Sequence, residues 1–273
     1  MPEQTHKRTP LANTTKRLTR DDSFRFACGP HVPCFTECCG KLELILTPYD
    51  VLRLKTRLGL SSGDFIDAYT TMRMRTAHGF PDLVMRMDHE AGKRCPFVTA
   101  RGCAVYEDRP GACRIYPLGR ASTTHPLHGG RSEFYFVVRE DHCRGFEQPR
   151  EWLVSEWLED QGMEDYNRMN DLLMELYVHR TRGRSVTLRQ QHVQMFIMAC
   201  YNAERFRSFI FESPFLRKFD LDRNLVESIR VDDGKLLEFA FQWLKFALFQ
   251  EPTLKVRGAD SNTRELRPPP EPR

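Results

Sequence analysis

Eight of the nine cysteines fall between Cys28 and Cys143, and the long remainder of the chain holds only Cys200. A soluble chain seldom gathers so many thiols without using them together. Which use depends on the redox compartment. The start of the chain, Met1 to Asp22, is polar and lacks the apolar core of a signal peptide. The most apolar stretch, Leu236 to Phe249, is interrupted by Glu238, Gln242 and Lys245, whereas a membrane-spanning helix needs about 20 mostly apolar residues. The expectation is a cytoplasmic protein with no membrane partner, whose thiols stay reduced. Clustered cysteines there point to metal ligation or redox chemistry, while a disulfide framework belongs to secreted chains.

The spacing reads C-x5-C-x3-C-C from Cys28 to Cys39, then C-x7-C-x9-C from Cys95 to Cys113, then Cys143. It matches neither the paired C-x2-C of zinc ribbons nor the ferredoxin run. The adjacent pair Cys38-Cys39 constrains the geometry most. Neighbouring Cα atoms lie about 3.8 Å apart and their side chains diverge, so the two sulfurs are poor joint ligands for one zinc ion. Either they serve different centres, or one ligates and the other packs. Eight thiolates suit two four-ligand sites, or one cluster with supporting cysteines. The irregular spacing favours an iron–sulfur cluster somewhat over zinc (Zn).

The runs CGPHVPCFTECCG (Cys28–Gly40) and CPFVTARGCAVYEDRPGACRIYPLG (Cys95–Gly119) resemble the YkgJ-type cysteine-cluster family, also called the CxxCxxCC or zinc- or iron-chelating domain. The resemblance implies a metal site built from Cys28, Cys34, Cys38, Cys39, Cys95, Cys103, Cys113 and Cys143. Cys95-Pro96 and the run Tyr106 to Pro110 before Cys113 are its most specific part. In the first block five residues separate Cys28 from Cys34, where the family pattern has two. The resemblance covers roughly Phe24 to Phe146 and is silent on the rest. The same block also occurs in proteins resembling flagellin lysine N-methylases, which brings in a protein-modifying enzyme as one alternative function.

The surrounding chain reads as an α+β fold. A small, loop-rich metal-binding domain with short helices and few strands spans 23–147, and an all-helical region spans 148–254. A disordered basic arm is expected over 1–22 and a Pro-rich disordered tail over 255–273. Thr47-Pro48 opens a helix that Gly59 ends, and a second helix follows Ser62. Leu83 to Asp88 and Phe134 to Val138 read as strands. Beyond Pro149, apolar residues recur at helical spacing: Leu153 to Leu158, Tyr166 to Tyr177, one long helix from about Thr187 to Phe211, and a largely apolar last helix behind Asp232-Asp233.

Charge narrows the partners. The chain carries 41 Lys and Arg against 37 Asp and Glu, and the surplus sits in the two tails, leaving the body from Ser23 to Leu254 neutral. A neutral body argues against a broad nucleic-acid face, so the expected partner is a protein docking on the helical region. No nucleotide-binding or nucleophile-elbow signature is present, which leaves enzymatic activity undecided. A zinc-thiolate redox sensor or scaffold is the remaining alternative.

Individual residues sort by the same logic. Cys200 lies on an apolar helical stripe and reads as core. His31 and His142 are capable ligands made redundant by eight thiols. His89-Glu90 forms no zincin site, because Lys93 stands where the second histidine belongs. Asp108 is expected to cap a short helix bearing Cys113, and Arg109 and Arg114 to offset the negative charge of a thiolate-bound cofactor.

Overall fold

The computed structural model describes residues 16–75, 79–124, 131–181 and 188–258. It is of mixed α+β composition, with helices joined to small sheets of two or three strands. The chain divides into two compact units. The first comprises the described residues up to Leu60, Phe65–Arg73 and Asp82–Asp171; the second comprises Ser61–Asp64, Met74–Pro81 and the residues from Leu172 onward. The division near the end of the chain thus falls at Asp171, beyond the Gly145–Arg150 break suggested by the change in sequence character.

In the first unit, strand β1 (Ser23–Arg25) pairs antiparallel with β9 (Glu151–Leu153), Phe24 facing Trp152. Strands β2 (Ile45–Leu46), β3 (Thr70–Met74) and β4 (Pro81–Met85) form a sheet in the order β2-β4-β3. Strands β5 (Val98–Thr99) and β6 (Gly102–Cys103) make a minimal hairpin, and β7 (Leu118–Thr124) and β8 (Arg131–Val137) a longer one. Between them stand helices α1 (Pro48–Leu58), α3 (Gly111–Ile115) and α4 (Val154–Asp160), with α2 (Ser62–Tyr69) from Phe65 on and α5 (Glu164–Thr181) up to Asp171. Thr47 and Asp50 form a reciprocal capping box at the start of α1, and Gly59 ends it at φ 65°, the left-handed conformation that glycine adopts without strain.

The basic arm is shorter than its composition suggested. Residues 16–22 belong to the first unit: Leu18 is buried and exchanges two backbone hydrogen bonds of 2.8 Å with Tyr135, and the Thr19 backbone N–H and hydroxyl donate to Asp22. One apolar residue that can join the open edge of β8 suffices to fix a polar segment. Residues 1–15 and 259–273, and with them most of both expected tails, lie outside the described residues. The start of the Pro-rich tail is ordered as strand β11 (Lys255–Val256), paired with β10 (Phe219–Asp220).

The second unit adds helices α6 (Gln190–Tyr201), α7 (Ala203–Phe211), α8 (Phe215–Lys218), α9 (Arg223–Val231) and α10 (Asp233–Phe249). The single helix expected from Thr187 to Phe211 is therefore two. It breaks at Asn202, whose side chain caps α7 by accepting the Arg205 N–H, a role Asn fills better than it fills a helix interior. Helix α10 is buried along most of its length, with Phe239 and Trp243 against Phe206 and Phe215. Asp232 caps it through Gly234 and Lys235. Cys200 is buried within α6. Among the described residues, no helix is long and apolar enough to cross a membrane.

Gly145 is packed tightly against both a side chain and the backbone of the first unit. A Cβ there would stand 2.4 Å from the Phe26 ring and 2.8 Å from the Ala27 carbonyl oxygen, so Gly145→Ala is expected to destabilise the unit by about 1–3 kcal/mol, the usual cost of overpacking. Urea unfolding followed by tryptophan fluorescence tests this; an unchanged midpoint would contradict the close approach.

Candidate metal centre

The eight clustered cysteines all lie in the first unit, on loops, a short turn, a strand end and the five-residue helix α3. Backbone pairing decides which of them meet. Ahead of Cys28, Phe26 N–H donates to the Arg150 carbonyl and Ala27 N–H to that of Gly145. These bonds continue the β1–β9 pairing and bring the chain before Cys28 beside the chain after Cys143. The Phe26 and Phe146 rings meet there at 5.3 Å. The Arg144 backbone N–H lies 3.1 Å from the Cys34 sulfur, joining Cys34 to the same place.

The second block is tied to the first differently. Cys95 N–H donates to the Cys39 carbonyl at 2.8 Å, Lys41 N–H to that of Lys93, and the Arg94 guanidinium to the carbonyl and hydroxyl oxygens of Thr36. The β5–β6 hairpin then folds Cys103 back opposite Val98. Its turn requires glycine: Gly102 has φ 113°, and a Cβ there would meet the Phe35 ring at 3.1 Å. Cys113 arrives on α3.

The ionisation of the thiols reports the resulting neighbourhoods. The Cys28 thiol is pushed up to about 11 by burial, and then by Cys38, Cys34 and Cys143. Cys113 is pushed up by burial, and then by Cys95, Asp50, Cys103 and, more weakly, Cys38. Residue-wise Cys113 keeps an exposed surface, but these neighbours crowd its sulfur. Cys95 and Cys103 are raised chiefly by burial, with Cys103 adding to the effect at Cys95. Cys39 is lowered by its contact with Cys38, against burial and the opposing influence of Cys95, Cys113 and Cys103; Cys38 is raised by the same contact and by burial. Such a pair releases its first proton readily and its second with difficulty.

The sulfurs therefore sort into two quartets. Cys28 has Cys34, Cys38 and Cys143 as neighbours, and Cys39 has Cys95, Cys103 and Cys113; the two groups meet where Cys38 contacts Cys39, and Cys38 also neighbours Cys113. All nine cysteines are free thiols. Among the described residues, no three His, Cys, Asp or Glu side chains already stand as a coordination shell: each quartet is gathered in a neighbourhood without being closed around a point. As a donor set the quartets suit soft cations, since each offers thiols alone and burial already makes uncompensated thiolate charge costly.

Other side chains border the quartets. The Tyr116 hydroxyl is buried without a well-formed hydrogen bond, and burial together with Cys143, Glu140 and Cys38 raises its pKa. His142 pairs with Glu140 at 3.5 Å. Arg109 lies close enough to Cys103 to favour its thiolate, while its guanidinium donates to the Tyr106 carbonyl and the Gln161 side chain and stacks 3.8 Å above the Tyr106 ring. Arg114 donates to the carbonyls of Gln161 and Glu107. Asp108 does not cap α3, contrary to the sequence expectation: its carboxylate pairs with Arg53 of α1. The cap comes from Asp50, whose Oδ1 accepts the Gly111 N–H at 2.8 Å while Oδ2 accepts from Thr47. A carboxylate on an already formed helix is the more rigid acceptor, and it fixes the loop that carries Cys113. The Thr47–Asp50 capping box could be read from sequence; the reach of Asp50 across to Gly111 could not.

This geometry describes a cysteine-rich domain whose thiols are drawn together from separate loops. Residues 27–144 match the family model CxxCxxCC, described as a putative zinc- or iron-chelating domain, and the match supports a metal-binding role for this segment. The match spans under half of the chain. No curated protein and no solved structure matches it.

Asp50→Ala would leave the buried Gly111 donor and the half-buried Thr47 donors without their acceptor, at a cost of about 1–3 kcal/mol. A lower urea midpoint for the first unit is expected; a wild-type midpoint would mean that Asp50 does not fix the loop.

Proposed function

We propose that this protein binds metal at two neighbouring all-thiolate centres, one on Cys28, Cys34, Cys38 and Cys143 and the other on Cys39, Cys95, Cys103 and Cys113, and that the occupant is iron–sulfur in preference to zinc. The reading is supported by the different surroundings of the adjacent pair: Cys39 is tied to Cys95 through the Cys95 N–H to Cys39 carbonyl bond, while Cys38 neighbours Cys28, whose loop meets Cys143 through the Ala27–Gly145 and Cys34–Arg144 contacts. It leaves four thiols for each centre, the complement of a four-cysteine cluster, with the Cys38 and Cys39 sulfurs in contact where the two centres adjoin. Iron–sulfur is favoured because the two quartets adjoin and follow none of the standard zinc spacings. When bound, the metal supplies the positive charge that turns crowded, raised thiols into stable thiolates. Arg109 beside Cys103 and Arg94 beside Cys95 add to that compensation. A cytosolic location accords with nine unpaired cysteines.

Anaerobically purified protein is expected to be brown, with broad visible absorbance and both iron and acid-labile sulfide on elemental analysis. Colourless protein carrying stoichiometric zinc would overturn the iron assignment while keeping the two centres; protein free of both metals would overturn the whole reading. Cys38→Ser and Cys39→Ser are each expected to lose about half of the metal, because an incomplete ligand set weakens one centre at a time. Loss of all metal in both variants would replace two centres by one. Cys200→Ser, buried in the second unit, is expected to leave metal content unchanged; metal loss in that variant would refute the ligand assignment.

A further inference from the structure

The segment from Arg109 to Ile115, which carries Cys113, is held by residues well beyond the last of the clustered cysteines. Gln161 is buried and meets both arginines of the segment, its side chain accepting from Arg109 and its carbonyl from Arg114. The Tyr166 hydroxyl donates to the Arg109 carbonyl at 3.2 Å, and its ring lies beneath the Arg114 guanidinium at 5.1 Å. A Cβ on Gly111 would approach that ring to 3.1 Å, so only glycine lets the loop settle this closely. Trp157 closes the far end, donating from its indole N–H to the Ile115 carbonyl at 3.0 Å. Trp157, Gln161 and Tyr166 are at most 7% exposed, and all lie outside the segment that matches the chelating-domain family.

We propose that Trp157, Gln161 and Tyr166 are positioning residues of the Cys39/Cys95/Cys103/Cys113 centre, setting the loop that presents Cys113. The proposal rests on the metal-binding reading above. A five-residue helix such as α3 has too little intrinsic stability to fix a side chain, so the placement of its sulfur comes from what it packs against. The three residues fasten the loop at both ends and in the middle, as outer-shell partners do for ordinary metal ligands. The functional metal domain therefore extends through α4 and the first turn of α5, and its retention of metal depends on side chains that touch no metal.

The test uses the full-length chain loaded with cobalt(II), whose visible absorption reports thiolate coordination at each centre, and follows release to a competing chelator. Gln161→Leu and Tyr166→Phe remove hydrogen bonds to the loop while keeping the side chains' bulk. Release from one of the two centres is expected to accelerate roughly 10- to 100-fold with a changed cobalt spectrum, while the other centre keeps the wild-type rate. Gln161→Glu, which keeps an acceptor for Arg109, is expected to restore slow release. Asp222→Ala, which removes the cap of α9 in the second unit, controls for general destabilisation and is expected to leave both rates alone. Wild-type rates in Gln161→Leu and Tyr166→Phe would overturn the positioning role with metal binding intact. Acceleration matched by Asp222→Ala would reduce the effect to general stability and overturn it as well. Wild-type protein that takes up no cobalt would overturn this proposal together with the reading beneath it.

Discussion

Crowding sulfur atoms together in one small region is the constraint on which the first unit depends. Cys28, Cys38, Cys95, Cys103 and Cys113 all hold their protons more tightly than a free cysteine: Cys38 first through its contact with Cys39, the others first through burial, with neighbouring thiols adding to it at Cys28, Cys95 and Cys113. Several thiolates cannot coexist in such a place without a positive charge among them. The loops that hold these sulfurs have little regular structure to draw on: a three-residue turn at Glu37–Cys39, two-residue strands at Val98–Thr99 and Gly102–Cys103, and one short helix. Fold and site therefore support each other, as is usual in small metal domains.

Beside the apolar core of the first unit, which includes Phe26, Val32, Phe97 and Ile115, a set of buried polar attachments holds the cysteine loops. Asp50 grips Gly111, Trp152 grips the Phe26 carbonyl, and Trp157 grips that of Ile115. In each case a side chain on a helix or strand satisfies a backbone group of a loop. An unpaired backbone group in a buried setting costs about 1–3 kcal/mol, so each attachment restricts the positions its loop can take. The second unit works on other terms. Its interior is aromatic, with Phe206, Phe209, Phe215, Phe239 and Trp243 in mutual contact, and its only cysteine is one more buried apolar group.

The sequence showed the parts of this architecture that local chemistry determines. Helix α1 could be bounded to the residue from Thr47, Pro48 and Gly59, and α10 from Asp232-Asp233 and its apolar run, because caps and periodicity act within a few residues. The cysteine pattern showed which side chains matter. It could not show their partition, which depends on pairings across more than a hundred residues, such as Ala27 with Gly145 and Cys34 with Arg144. The cap of α3 was misplaced for the same reason: Asp108 has the right residue type at the right offset, but Asp50 arrives from 61 residues away. The break at Asn202 lay inside a continuous apolar stripe, where periodicity outweighed a single capping residue.

X-ray absorption at the metal edge of the purified full-length protein tests the central claim most directly. The account predicts a first shell of sulfur alone, four neighbours per metal at about 2.3 Å. Nitrogen or oxygen in that shell, or fewer than four sulfurs per metal, would contradict it.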